Sequence, residues 1–450
     1  MGVLRAQLPL MLRKLKAIPD HRNPKKIKHK LTVLMLYGLL MFIFQYTSRR
    51  QVNREISCPQ FRENLMQFFP ELETLPHADT LFRVLKKTDV SQLEKIHVSL
   101  VNKFIRQKKF SRFLVNNCYP IAIDGTQKLS RNVQFAEQLL ERKKKKSSNK
   151  EGKSENSSDE KVEYQYYIYI LEANLSFSNG LVIPLISEFL EYQLGDQLNS
   201  KQDCELRAFY RLGDRLKAFF SHLSIMLLLD GLYANGPVME YCTEKNWQFM
   251  IVLKDKDLTT VWQEYHSLSK LKPQDQLQQA WGKREQSFSW VNAIHYEFDN
   301  GKKYLPVHVV VCEENWKEVN SDGEVEEKFS RHAWLSSRPL NANNVHERCN
   351  LGARFRWGIE SSILVEKHQG YQYEHCFSLD WNAMKGCHYL MRLAHMLNTL
   401  ALFSTAAAKT IRNLGKRGFL SLVRSTLSGP WFIEGDIERL VNKPFRLCLP

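Results

Sequence analysis

The sequence predicts an α/β protein: a three-layer α/β core with a β-rich insertion, preceded by a small all-α basic domain. Three observations carry this. Apolar residues recur at spacings of three and four up to about residue 112; the pattern then changes to short apolar runs of strand length; and two of those runs, IAIDGTQ and LLLDGLYANG, meet an Asp-Gly pair.

Taken in order, residues 1–112 read as helical. The stretches LPLMLRKLKAI, LTVLMLYGLLMFIFQY and HADTLFRVLKKTDVSQLEKIHVSLVNKFI all have helical length or helical periodicity. The first part of the core spans 116–256. YPIAIDGTQ (119–127) reads as a short strand ending at Asp124, and residues 164–191 read as two strands around a Ser-Asn-Gly turn. A helix over 201–220 follows, then a strand SIMLLLD (224–230) and another in WQFMIVLKDK (247–256). Between the first strands, residues 141–161 hold almost no apolar side chain and read as a mobile charged surface insertion. Residues 257–345, with SFSWVNAIHYEF, YLPVHVVVCEE and RHAWLSS, read as a β-rich insertion. Residues 346–400 complete the core with the helix that carries Glu360, and the tail 401–450 is helical at first and less regular after Gly429.

Composition narrows the function. A chain of 450 residues, 43% hydrophobic and 11% aromatic, can bury two or three cores and is not a disordered polymer. The formal net charge is +16, and residues 1–60 hold twelve Lys and Arg against Asp20 and Glu55 alone. Such a basic arm points to a polyanion, nucleic acid before membrane. The apolar run 31–46 is shorter than the roughly 20 residues of a membrane span, and the polar, basic first 30 residues do not read as a signal peptide. Nine cysteines lie far apart without zinc spacing, so free thiols in a reducing compartment are expected.

The stretch RWGIESSILVEK (356–367) places Arg356, Glu360 and Lys367 within about 40° of one another on a helix, at roughly 100° per residue. Phe355 and Ile359 flank this stripe on one side, Trp357 and Leu364 on the other. Alone, the spacing fits a surface ion pair of a few tenths of a kcal/mol. Asp124 and Asp230 change the balance: carboxylates at the C-terminal ends of core strands, joined by a third acid on a packed helix, describe a site for divalent cations. Lys254 and Lys256, after another core strand, are candidates for DNA contact, with plain solvation as the alternative.

In this order of acids the sequence resembles the insertion-sequence transposases of the DDE class, in the branch with a Tyr-x2-Arg-x3-Glu-x6-Lys signature (insertion sequence 4 type). Arg356, Glu360 and Lys367 match its last three positions, while Ala353 stands where the tyrosine belongs. LPHADTLFRVLKK, KQDCELRAFYRL, DGLYANGPV and GYQYEHCF extend the likeness over roughly residues 15–405. The resemblance implies a ribonuclease H-like core and phosphodiester hydrolysis followed by strand transfer. It implies two Mg²⁺, with Mn²⁺ as substitute, held by Asp124 as the bridging ligand, Asp230 and Glu360. It further implies Arg356 and Lys367 on flanking phosphates, double-stranded DNA as partner at transposon ends and target, a homodimer on paired ends, and a cytoplasmic, nucleoid-associated location. The alternatives are an inactive or repurposed DNA-binding relative, or a nuclease without strand transfer.

Overall fold

The computed structural model describes residues 2–68, 70, 75–143, 163–191, 203–321 and 323–430, and these form an α/β protein with one large mixed sheet. The chain divides into two compact units, residues 1–90 with 385–450, and residues 91–384.

The first unit begins with five helices: α1 (Gly2–Lys16), α2 (Leu31–Ile43), α3 (Arg49–Ile56), α4 (Pro59–Phe68) and α5 (Ala78–Leu85). All thirteen residues of α2 are buried, which explains why its sequence is apolar on every side. It is a core helix, and among the described residues no helix is long and apolar enough to cross a membrane. Gly38 permits close packing, because a Cβ there would lie 2.7 Å from a Leu81 methyl and 2.9 Å from a Leu390 methyl. Ser48 caps α3 by accepting from the Gln51 amide at 3.2 Å.

The second unit opens with α6 (Ser91–Arg106), so the helical run that the sequence extends to 112 is divided at Val90. It continues with β1 (Tyr119–Arg131), β2 (Leu140–Lys143), β3 (Tyr164–Ser176), β4 (Val182–Leu190), α7 (Glu205–Phe219), β5 (Ile225–Leu229), α8 (Gly236–Glu244), β6 (Gln248–Val252) and α9 (Thr259–Leu271). Then come β7 (Gln276–Trp281), β8 (Arg284–Phe298), β9 (Lys303–Val319), β10 (Val325–Ser336) and α10 (Trp357–His368). The sheet runs β2-β3-β1-β5-β6-β10-β9-β8-β7, with β4 also paired to β3. β1, β5 and β6 are parallel, and every residue of β5 is buried, as a central parallel strand requires.

The strands β7 to β10 of residues 257–345 continue the core sheet, because β10 pairs antiparallel with β6 and carries β9, β8 and β7 outward. Two expectations are corrected here. Strand β1 does not end at Asp124 but runs on to Arg131, since β3 pairs with it along its whole second half. Of the charged insertion 141–161, residues 141–143 belong to β2, and the rest lies outside the described residues, as does 431–450 of the tail.

α7 packs on β3 and β4, and α10 on β1, β3 and β4. In α7 the buried Ala208, Phe209, Leu212 and Leu216 form one apolar face. A core of Ala122, Met226, Leu228, Met250 and Trp334 from the sheet meets Ala353, Ile359 and Ile363 from the α10 region. Finally α11 (Trp381–Leu402) and α12 (Thr405–Ser428) return the chain to the first unit. There Asn398 donates to the Ile43 carbonyl at 3.1 Å, and Asn64 donates to the carbonyls of Leu427 and Gly429 at 3.0 and 2.8 Å.

Candidate active site

The parallel ladder between β1 and β5 pairs Tyr119 through Ala122 with Ile225 through Leu228 and goes no further. Beyond it β1 keeps β3 on one side but loses β5 on the other, and Asp124 sits two residues past this fork, half-buried. Its Oδ1 accepts from the Gly125 amide at 3.1 Å. The Asp124-Gly125 pair is therefore strand interior rather than a turn. Asp230-Gly231 is a turn: Asp230 follows β5 and caps the 3-10 turn Gly231–Tyr233, its Oδ1 accepting from the Leu232 amide at 3.0 Å.

Glu360 lies in the first turn of α10, and two contacts seat that turn. Ser176, ending β3, donates to the Phe355 carbonyl at 2.5 Å, and Gly358 faces the same serine so closely that a Cβ would lie 2.2 Å from its hydroxyl. The chain reaches α10 through a π turn, Glu347–Gly352, and a 3-10 turn, Ala353–Arg356. Arg348 in the π turn is fully buried, donating to Gln248 at 2.7 Å and Ser336 at 3.1 Å.

The acids share one electrostatic environment. Burial pushes the Asp124 carboxyl up to about 7; the Arg356 guanidinium opposes this, while Glu360, Asp230 and Glu205 reinforce it. Arg356 pairs with Glu360 at 2.8 Å. This is not the exposed pair that i,i+4 spacing suggests, because Arg356 is only 6% exposed. Its guanidinium lies 4.5 Å from the Trp357 ring centroid, and its Nε is buried without a hydrogen-bond partner. The two flanks of the stripe also differ: Ile359 is buried, whereas Trp357 and Leu364 are 60% and 53% exposed, so the helix turns one flank to the core and one to solvent.

The predicted basic residues separate. Lys254 is exposed, but its stem lies 2.8 Å from where a Gly231 Cβ would stand, beside the turn that Asp230 caps. Lys256 is exposed, with no contact to these acids among the described residues. Lys367 is paired with Glu374 at 3.0 Å.

A cavity of about 710 Å³ adjoins the start of α10, lined by Lys254, Arg284, Arg331 and Arg354 with Trp281, Trp334 and Trp357. Arg354 lies over the rings of Trp281 and Trp334 at 5.1 and 5.8 Å, and the fully buried Glu314 pairs with both Arg284 and Arg354. Sequence reasoning missed this group, because its members come from the segment after β6, from β7 to β10 and from the start of α10 and its approach, up to about a hundred residues apart.

It also missed Glu205, which accepts from the hydroxyls of Tyr233 at 2.8 Å and Tyr169 at 3.0 Å. Nothing in its local sequence distinguishes it from an ordinary acid in the first turn of a helix. Among the described residues, no three His, Cys, Asp or Glu side chains stand close enough together to hold a metal ion. Each acid instead engages a neighbour: Asp124 the Gly125 amide, Asp230 the Leu232 amide, Glu360 the Arg356 guanidinium. As a donor set, hard carboxylate oxygens under mutual repulsion suit Mg²⁺ or Mn²⁺.

The family model described as DDE_Tnp_1-associated matches residues 12–101. That stretch runs from within α1 into α6, and it sets the chain in the context of DDE transposases. No curated protein matches the chain.

Proposed function

We propose that this chain is a transposase of the DDE class, cutting DNA at the ends of a mobile element and joining them to a target through Asp124, Asp230 and Glu360. The observation that carries the reading is that the charges of Asp230, at the end of β5, and Glu360, on α10, both reach the carboxyl of Asp124, just past the fork between β1 and β5. The neighbouring strands, with β1, β5 and β6 parallel and β3 and β4 antiparallel, fit the expected ribonuclease H-like core, and the match over 12–101 supports the same class.

Two divalent cations held by these acids, Mg²⁺ or Mn²⁺, would supply activation of the attacking oxygen and stabilisation of the leaving one. The protein's own part is binding and orientation. Arg356 holds Glu360 and keeps an unpartnered buried Nε, a donor that a phosphate oxygen can satisfy. Lys254 and the arginine- and tryptophan-lined cavity offer phosphate contacts and stacking surfaces to the DNA strand. Lys256 and Lys367 add charge at the margin, and the basic first unit supplies further DNA affinity. A homodimer on paired ends, working on the nucleoid in the cytoplasm, completes the proposal.

The alternative of an inactive or repurposed DNA-binding relative draws on the acids' engagement with local partners. Single-turnover cleavage of DNA carrying the element's ends, in Mg²⁺, decides. Cleavage lost in Asp124→Asn, Asp230→Asn and Glu360→Gln, with DNA binding kept, is the expected result. Near-normal cleavage in any one removes that residue from the site. Capture of the cut 3′ end by a target plasmid separates a transposase from a nuclease.

A further inference from the structure

We propose that Glu205 is a positioning residue of this site, tying the turn that Asp230 caps to β3, the strand paired with the one that carries Asp124, and raising the affinity of Asp124 and Asp230 for a divalent cation. The inference rests on the metal-dependent reading above.

Glu205 begins α7, and its two oxygens go to different places. Oε1 accepts from Tyr233, which lies in the turn that Asp230 caps; Oε2 accepts from Tyr169 on β3, the strand paired with β1 around Asp124. One carboxylate thus connects the turn that Asp230 caps with β3, the strand paired to the one that carries Asp124, through two phenols. Tyr233 is fully buried, and both phenols hold their protons tightly: burial and then the charge of Glu205 raise their pKa values above the ordinary range. Both therefore remain donors to the Glu205 carboxylate.

Gly125 shows how near this anion stands to Asp124. A Cβ at Gly125 would lie 2.5 Å from the Tyr169 hydroxyl oxygen and 2.6 Å from Glu205 Oε2. The residue after Asp124 is a glycine because the phenol and the carboxylate occupy the space of its side chain. Glu205 is accordingly among the charges acting on Asp124. A fixed negative charge here is unfavourable in the cation-free protein and favourable once a cation arrives. A brace serving only the fold would need the hydrogen bonds and not the charge, and glutamine could replace it.

The test is calorimetric titration of the full-length protein with Mn²⁺ alone, beside thermal melting without metal. The variants are Glu205→Gln, the double variant Tyr169→Phe/Tyr233→Phe, and Asp124→Asn. Glu205→Gln should weaken Mn²⁺ binding by about tenfold, the scale on which groups supporting metal ligands act, without lowering the melting temperature. The tyrosine pair should weaken it similarly, because the charge remains but is no longer held in place. Wild-type affinity in Glu205→Gln overturns the proposal; should that variant not fold, wild-type affinity in the tyrosine pair overturns it instead. If the wild-type protein binds no Mn²⁺, or Asp124→Asn binds it normally, the metal-site reading itself has failed and this inference falls with it.

Discussion

Asp124 stands in an environment that its neighbours in sequence do not suggest. Its carboxyl is raised to about 7 by burial and by the three nearby acids, against the opposing pull of Arg356. A folded-state value above the unfolded one means that the group favours the folded state below about pH 4, and that this contribution is lost as pH rises through about 7. The full shift corresponds to at most about 4 kcal/mol. Asp124→Asn should therefore melt higher than wild type at pH 8 in chelator and no higher near pH 4; saturating Mg²⁺ at pH 8 should close the gap by stabilising wild type alone. Melting curves across that range test this, and a gap independent of pH would contradict it. Arg356 makes a second residue-scale case. An exposed ion pair contributes about 1 kcal/mol or less, but Arg356 is buried and holds Glu360. Arg356→Ala should cost about 3 kcal/mol, since it leaves a partly buried carboxylate without its partner, and should reduce cleavage far more than Lys367→Ala, whose side chain is paired with Glu374. Chemical denaturation beside single-turnover cleavage of both variants checks it.

At the scale of elements, the seat of α10 decides where Glu360 stands. A Cβ at Gly358 would lie 2.2 Å from the Ser176 hydroxyl and 3.0 Å from a Val182 methyl, so Ser176 would have to shift. Glycine to alanine inside a helix normally gains about 1 kcal/mol, but the clash should reverse the sign: Gly358→Ala is expected to lose about 1 to 3 kcal/mol by overpacking. A displacement of α10 by about 1 Å can lower the rate by ~100-fold. Ser176→Gly in the same chain removes the obstructing hydroxyl, so stability and cleavage should partly return. A Gly358→Ala variant with normal melting and normal cleavage would show that α10 is not seated this way.

At the scale of the whole molecule, the first unit is completed by residues from both ends of the chain. Leu390 packs at Gly38, and Asn398 satisfies the carbonyl that ends α2. A fragment comprising residues 1–112 alone would leave the fully apolar α2 without those partners, so it should aggregate, whereas full-length protein stays dispersed; light scattering and circular dichroism compare them. In the full-length protein, the twelve cations of residues 1–60 should make DNA affinity fall linearly with the logarithm of salt concentration, because phosphate neutralisation releases counterions. A flat salt dependence would remove DNA from the role assigned to this basic segment.

Part of the fold is written in local pattern. Helical periodicity, the apolar β5 and β6 runs, the hairpin around Gly180 and the RWGIESSILVEK helix were legible because each depends on residues within a turn or two of one another. The same local reasoning singled out the three acids, Asp230 as a strand end and Glu360 by helix spacing, although the strand end expected at Asp124 is not there. Long-range packing set the rest: Asp124 lies inside a long strand, β7 to β10 extend the core sheet, and α11 and α12 belong with the N-terminal helices. The burial of Arg356 and the link that Glu205 makes between the Asp230 turn and β3 were likewise set by packing. Each of these depends on which surface a segment is pressed against, and burial, pairing and the charges that surround a carboxylate are set by neighbours distant in the chain.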